Sequence, residues 1–157
     1  MDDATATTPA AEARPGQDTG AQYVVFKARE AVFAISLGDV LEVIEPEWWV
    51  RIPHAASWVE GVLYHHGDPL VVANAGSLLC GARASRKGTA SVLRLRVHEM
   101  KLGILVDRVL GTWQSATPAT PSRETGFIKG VWDRKGNLVN LIDFDALLDR
   151  ASRIFAA

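Results

Sequence analysis

WVEGVLYHHGDPLVVANAGSLL, residues 58–79, returns at 127–148 as FIKGVWDRKGNLVNLIDFDALL. An offset of 69 aligns the two stretches without a gap. The match runs upstream, where FAISLGDVLEV from Phe33 falls on LGILVDRVLGT from Leu102. Across 23–79 and 92–148, nine of 57 positions are identical, among them Ile35/Ile104, Val40/Val109, Gly61/Gly130, Gly67/Gly136 and Leu78/Leu147. Most are apolar residues or glycines, the residues a shared backbone and core would hold constant. Two copies are too few for a solenoid. Each copy is near the size at which a lone core is marginal. The copies must therefore pack on each other or trade elements.

Within each copy the apolar runs are short and broken by turn residues. YVVFKAR, AVFAISL, VLEVIE, WVEGVLYHH and PLVVA make five predicted strands in the first. SVLRLRV, KLGILV, RVLGTW, FIKGVWD and LVNLI repeat that order in the second. Gly38-Asp39 and Gly67-Asp68 read as tight turns, and Pro69 opens its strand, where a missing donor is tolerated. The pattern predicts an all-β fold of two small five-stranded barrels with a C-terminal helix. The helix is expected over about 144–155, with Phe144, Leu147, Leu148, Ala151 and Phe155 on one face and Asp143 as N-cap. Residues 1–21, rich in Ala, Thr, Pro and Gly, are expected to form a disordered tail. The ordered domain then spans 22–157, with subdomain one about 22–80, a basic linker 81–90 and subdomain two about 91–142.

Composition narrows the function classes. The 157 residues carry a net charge of −1, which gives no general affinity for nucleic acid or a membrane surface. One cysteine, Cys80, excludes an internal disulfide and suits a reducing compartment. No apolar run reaches membrane-spanning length and no secretory signal opens the chain, so a cytoplasmic location is expected. Ser36, Ser57 and Ser77 lack a nucleophile-elbow context, and no phosphate-binding glycine loop is present. Asp107 and Asp143 fall at a turn and a helix start, which accounts for both. No catalytic residue is assigned. His65 and His66 are adjacent on a predicted strand, so their side chains should diverge, and His54, His98 and Cys80 are scattered; no metal site is expected. Trp48 and Trp49 form a possible aromatic contact in a loop, since an exposed tryptophan is a good anchor.

The assembled motifs resemble the CheW-like family, the adaptor modules of bacterial chemotaxis arrays. The family's V-x-E-V segment stands as Val40-Leu41-Glu42-Val43-Ile44, and its W-V-x-G-V block as Trp58-Val59-Glu60-Gly61-Val62. Its G-x-x-V-D-x-V pair stands as Gly103 to Val109. Its terminal pattern stands as Ile128, Gly130, Gly136, Ile142-Asp143 and Leu147-Leu148. The resemblance implies two SH3-like five-stranded barrels and a non-enzymatic adaptor without cofactors. The implied partners are the regulatory domain of a CheA-type histidine kinase and a chemoreceptor signalling tip, at membrane-associated arrays. By the same resemblance the kinase contact includes Glu42, Ile44, Gly61 and Val62. The receptor groove includes Val40, His66, Gly67, Val106 and Val109. The chain departs from the family at His66, Val71, Asn74 and Ala75, which implies altered receptor coupling with kinase binding retained. An adaptor for a non-chemotaxis array, such as one controlling pili, or an array-localisation factor is the alternative within the family. A small β-barrel nucleic-acid binder is the reading from another class, and the neutral charge balance opposes it.

Overall fold

The computed structural model describes residues 20–46, 49–80, 90–98, 101–122 and 127–156. The expected tail falls almost wholly outside this range, as do Trp48 and nearly all of the linker. Eleven strands and one α-helix are described, with a 3₁₀ turn at Leu37–Asp39 and a π-helical turn at Gly76–Cys80. They are β1 (Ala21–Ala28), β2 (Ala31–Ser36), β3 (Val40–Ile44), β4 (Val59–His65), β5 (Asp68–Asn74) and β6 (Ser91–Leu95). There follow β7 (Leu102–Val106), β8 (Arg108–Ser115), β9 (Thr120–Pro121), β10 (Ile128–Arg134), β11 (Asn137–Ile142) and α1 (Phe144–Ala156). The all-β class with a C-terminal helix is as the sequence reads. Asp143 caps that helix: its Oδ1 accepts the Ala146 amide at 3.1 Å. Among the described residues no helix is long and apolar enough to cross a membrane.

The strands form two sheets, ordered β8-β1-β2-β11-β10-β9 and β3-β6-β7-β5-β4. Each sheet takes strands from both sequence copies. The expected boundaries, 22–80 and 91–142, therefore mark the repeat and not the spatial units. The exchange is reciprocal and keeps the 69-residue offset. Val24 faces Ile35 and Leu93 faces Ile104. Phe33 faces Asn140 in a parallel pair, and Leu102 faces Val71 likewise. The bulge at Val25/Phe26 against β8 recurs in β3 between Val40 and Glu42 against β6.

Gly38-Asp39 does not close a hairpin. A 3₁₀ turn at Leu37–Asp39 sends the chain from one sheet to the other. The equivalent bend at Asp107 does the same between β7 and β8, its amide held by the Lys27 carbonyl at 2.9 Å. The reason lies in β7, buried at every residue. A strand covered on both faces must lie inside the molecule, and its successor must leave it to reach a second sheet.

Three apolar cores result. The largest lies between the sheets and joins Phe26, Phe33, Ile35 and Val24 to Leu93, Leu95, Ile104 and Val106, with Leu147 and Ala151 of α1. Each sheet also wraps a small core of its own. One holds Ile44, Leu63, Leu70, Val72 and Val92. At the offset positions the other holds Trp113, Trp132, Val139, Leu141 and Tyr23. There the Tyr23 and Trp132 rings meet edge-on at 4.9 Å, and the Trp132 and Trp113 rings at 4.7 Å.

Candidate functional site

Side chains of β3 and β4 meet although these strands lie at opposite edges of their sheet. Glu42 Oε2 is 3.0 Å from His65 Nε2, and Glu42 Oε1 is 3.4 Å from Arg94 Nη1. An edge-to-edge contact of this kind requires the sheet to curl into a barrel. The hydrogen bond from His65, and the charge of Arg94 behind it, hold the Glu42 carboxyl below its usual range. The chain after β3 reinforces the closure. Val50 and Val62 exchange backbone hydrogen bonds of 2.8 and 2.7 Å, laying the crossing segment against β4.

Alternation on β3 divides the expected kinase-contact residues. Glu42 and Ile44 share the inner face, and Ile44 is only 6% exposed, sealed among Leu63, Leu70 and Val92. Little of its side chain is left for a partner, although Ile44 is also one of the residues lining the groove at this seam. Gly61 is buried with φ +152°, and a Cβ there would lie 2.2 Å from the Val50 carbonyl oxygen. Its role is to admit the crossing segment. Val62 is half-buried beside Val50. The outer face of β3 presents Leu41 and Val43, both exposed, and β4 adds exposed Tyr64. Val43, Pro46, Tyr64 and His65 line a groove at this seam. Val50 and Ile52 extend the apolar surface along the crossing segment. Sequence reasoning named the strand and missed these residues; the period-two rule sets Leu41 and Val43 on the face opposite Glu42 and Ile44 without saying which face turns outward.

The expected receptor-groove residues fall into two groups. His66 and Gly67 form the tip of the β4–β5 hairpin, with φ of 52° and 82°. The adjacent Asp68 pairs with Lys101 at 2.9 Å, just ahead of β7. Val106 ends β7, roughly 15 Å further along the strand at ~3.3 Å per residue, and is fully buried in the central core. Val40 and Val109, offset equivalents, are half-buried at the margin of that core. Of the four family departures only His66 is exposed. Asn74 and Ala75 are fully buried, and Val71 packs on the central core. Asn74 still caps: its Oδ1 accepts the Ser77 amide at 3.0 Å, as Asp143 does for Ala146. Its Nδ2 also donates to buried Glu60 at 2.9 Å. An aspartate there would set two carboxylates together, so the asparagine answers to Glu60 and not to a remodelled surface.

The remaining candidates have structural surroundings. Trp49 is half-buried against the small core beneath the seam. The Cys80 thiol is pushed up, first by desolvation, which makes it a poor nucleophile. His65 and His66 do not diverge: their ring centroids are 4.1 Å apart.

With the geometry in hand, three similarities bear on identity. The family model for the CheW-like domain matches residues 22–152. A chemotaxis protein CheW from Thermotoga maritima is 27% identical over 133 residues, covering 82% of this chain and 87% of that protein. The crystal structure of the scaffolding protein TtCheW from Thermoanaerobacter tengcongensis superposes with a TM-score of 0.70 at 18% identity, over 79% of this chain and 89% of that one, a likeness of fold. Reciprocal barrels, matching hairpins and a match spanning nearly all of the described residues lead to one conclusion: the chain belongs to the CheW-like domain family.

Proposed function

We propose that this protein is a non-enzymatic adaptor that docks the regulatory domain of a CheA-type histidine kinase on the β3–β4 seam and couples it to a chemoreceptor tip. Family membership supplies the partner class. The observation that carries the site is an asymmetry between the two copies. Leu41, Val43, Val50, Ile52 and Tyr64 are exposed on one barrel. Their offset equivalents are Leu110, Thr112, Ala119, Pro121 and Asp133. The fold forms its other barrel with mostly small or polar residues at these places, so stability does not require the apolar ones. A contiguous apolar surface that folding does not need marks a contact surface. Of the expected groove residues, Val40 and Val109 are half-buried at the margin of the central core and His66 and Gly67 are exposed, which leaves these four within reach of a helical receptor tip.

Val43→Thr copies the other barrel and should fold normally, while Tyr64→Ala removes the anchor beside it. The double variant should bind the kinase regulatory domain at least 2 kcal/mol more weakly, about 30-fold, as central anchors do. Isothermal titration against that domain measures this. Unchanged affinity in the folded double variant would sink the assignment.

A further inference from the structure

The hairpin tip beside the seam carries a second chemistry. Glu42, His65 and His66 place one ligand atom each within 4.8 Å of one another. Two backbone features produce this convergence. His66 has φ +52°, so the turn rotates its ring to the side of His65 instead of the opposite face. Barrel closure then brings Glu42 across from the other edge of the sheet. Arg94 reaches Oε1 of Glu42, while Oε2 faces His65. The other copy shows that the fold does not need this trio, because its equivalents are Gly111, Arg134 and Lys135.

We propose that Glu42, His65 and His66 form a binding site for a borderline divalent cation of the Zn²⁺ class. Two imidazoles and a carboxylate suit such an ion and leave coordination positions for water or for a side chain of a docked protein. Bonds of about 2.0–2.2 Å would bring the three ligand atoms to roughly 3.3 Å from one another. The exposed His66 ring supplies most of that movement. His65 exchanges its hydrogen bond to Glu42 for the metal, so the ion takes the place of the bridging proton. The ion would then tie β3 to β4 beside the Glu42–His65 contact, adding to the backbone bonds of Val50 and Val62. The site stands independently of the adaptor reading, since no kinase enters its test.

Tag-free full-length protein titrated with Zn²⁺ in a calorimeter should bind one ion per chain, and Mg²⁺, a hard ion that favours oxygen ligands, should not compete. The variant His65→Arg/His66→Lys installs the residues of the equivalent hairpin and so preserves the turn. It should weaken Zn²⁺ at least ~10-fold, the lower end of what loss of even an outer-shell partner costs. Glu42→Gln should also weaken it, and Cys80→Ser and His54→Ala should leave it unchanged. Absence of Zn²⁺ binding, binding that survives the hairpin variant or Glu42→Gln, or binding that depends on Cys80 or His54 overturns the proposal.

Discussion

Gly61 and Gly130 are identical across the repeat for one steric reason. Each lets a crossing segment lie directly on the strand that closes its barrel. A Cβ at Gly61 would meet the Val50 carbonyl, and one at Gly130 would come within 2.7 Å of the Ala119 Cβ. Gly61→Ala should therefore cost about 2 kcal/mol or more, from backbone strain and overpacking together. The midpoint of chemical denaturation reads it. Asp39 shows a milder conflict. Its carboxyl pKa is raised from 3.8, chiefly by desolvation and then by Asp145, against the opposing pull of Lys129 and Arg96. Below the unfolded value the group is neutral in both states and costs nothing. As pH rises through the folded value, ionising the partly desolvated group removes stability. Asp39→Asn should melt above the wild type at pH 7, and the gap should close by pH 3.

Among the elements, α1 was the most legible. Its helical spacing and Asp143 sufficed, and Asp143→Ala should lower stability by about 1 kcal/mol by unfolding titration. Ten of the eleven strands were equally readable, because turn residues and period-two runs are local signals; β9, two residues long, offers neither. The tip after β4 reads one residue late: Gly67-Asp68 is expected, but the turn is His66-Gly67, which like Lys135-Gly136 has positive φ at both positions. That same geometry defeated the expectation for the histidines. Alternation holds only while the backbone stays extended, and His66 had already left the strand. Ile44 poses a different problem. Its strand was placed correctly, but which face of β3 turns inward depends on how the barrel closes, and no local pattern fixes that. For the same reason Asn74 reads as a surface departure until Glu60 is seen beside it.

At the scale of the molecule, the repeat announced two similar units but not their membership. Either β2 or β7 can pair beside β5 or β11 on chemistry alone, since equivalent strands carry equivalent patterns. The bends at Leu37–Asp39 and Asp107 decide it, and they read as ordinary turns. Because each barrel borrows strands, neither sequence half contains a complete one. Separate fragments 20–80 and 90–157 should each lack a cooperative melt, and mixing them should restore one, seen by circular dichroism. The borrowing also sets a timetable during synthesis. Strands β3 to β7 are contiguous, so their barrel has all its parts once Val106 is made. The β1–β2 hairpin must wait for β8, β10 and β11. Asn140, which donates to the Val32 carbonyl at 3.1 Å, arrives 108 residues later. The stretch from Val106 to Ile142 takes roughly 2–7 s to translate at 5–20 residues per second. For that interval the first strands to leave the ribosome are the last to find their places, with Tyr23 and Val25 still waiting for Trp113 and Trp132.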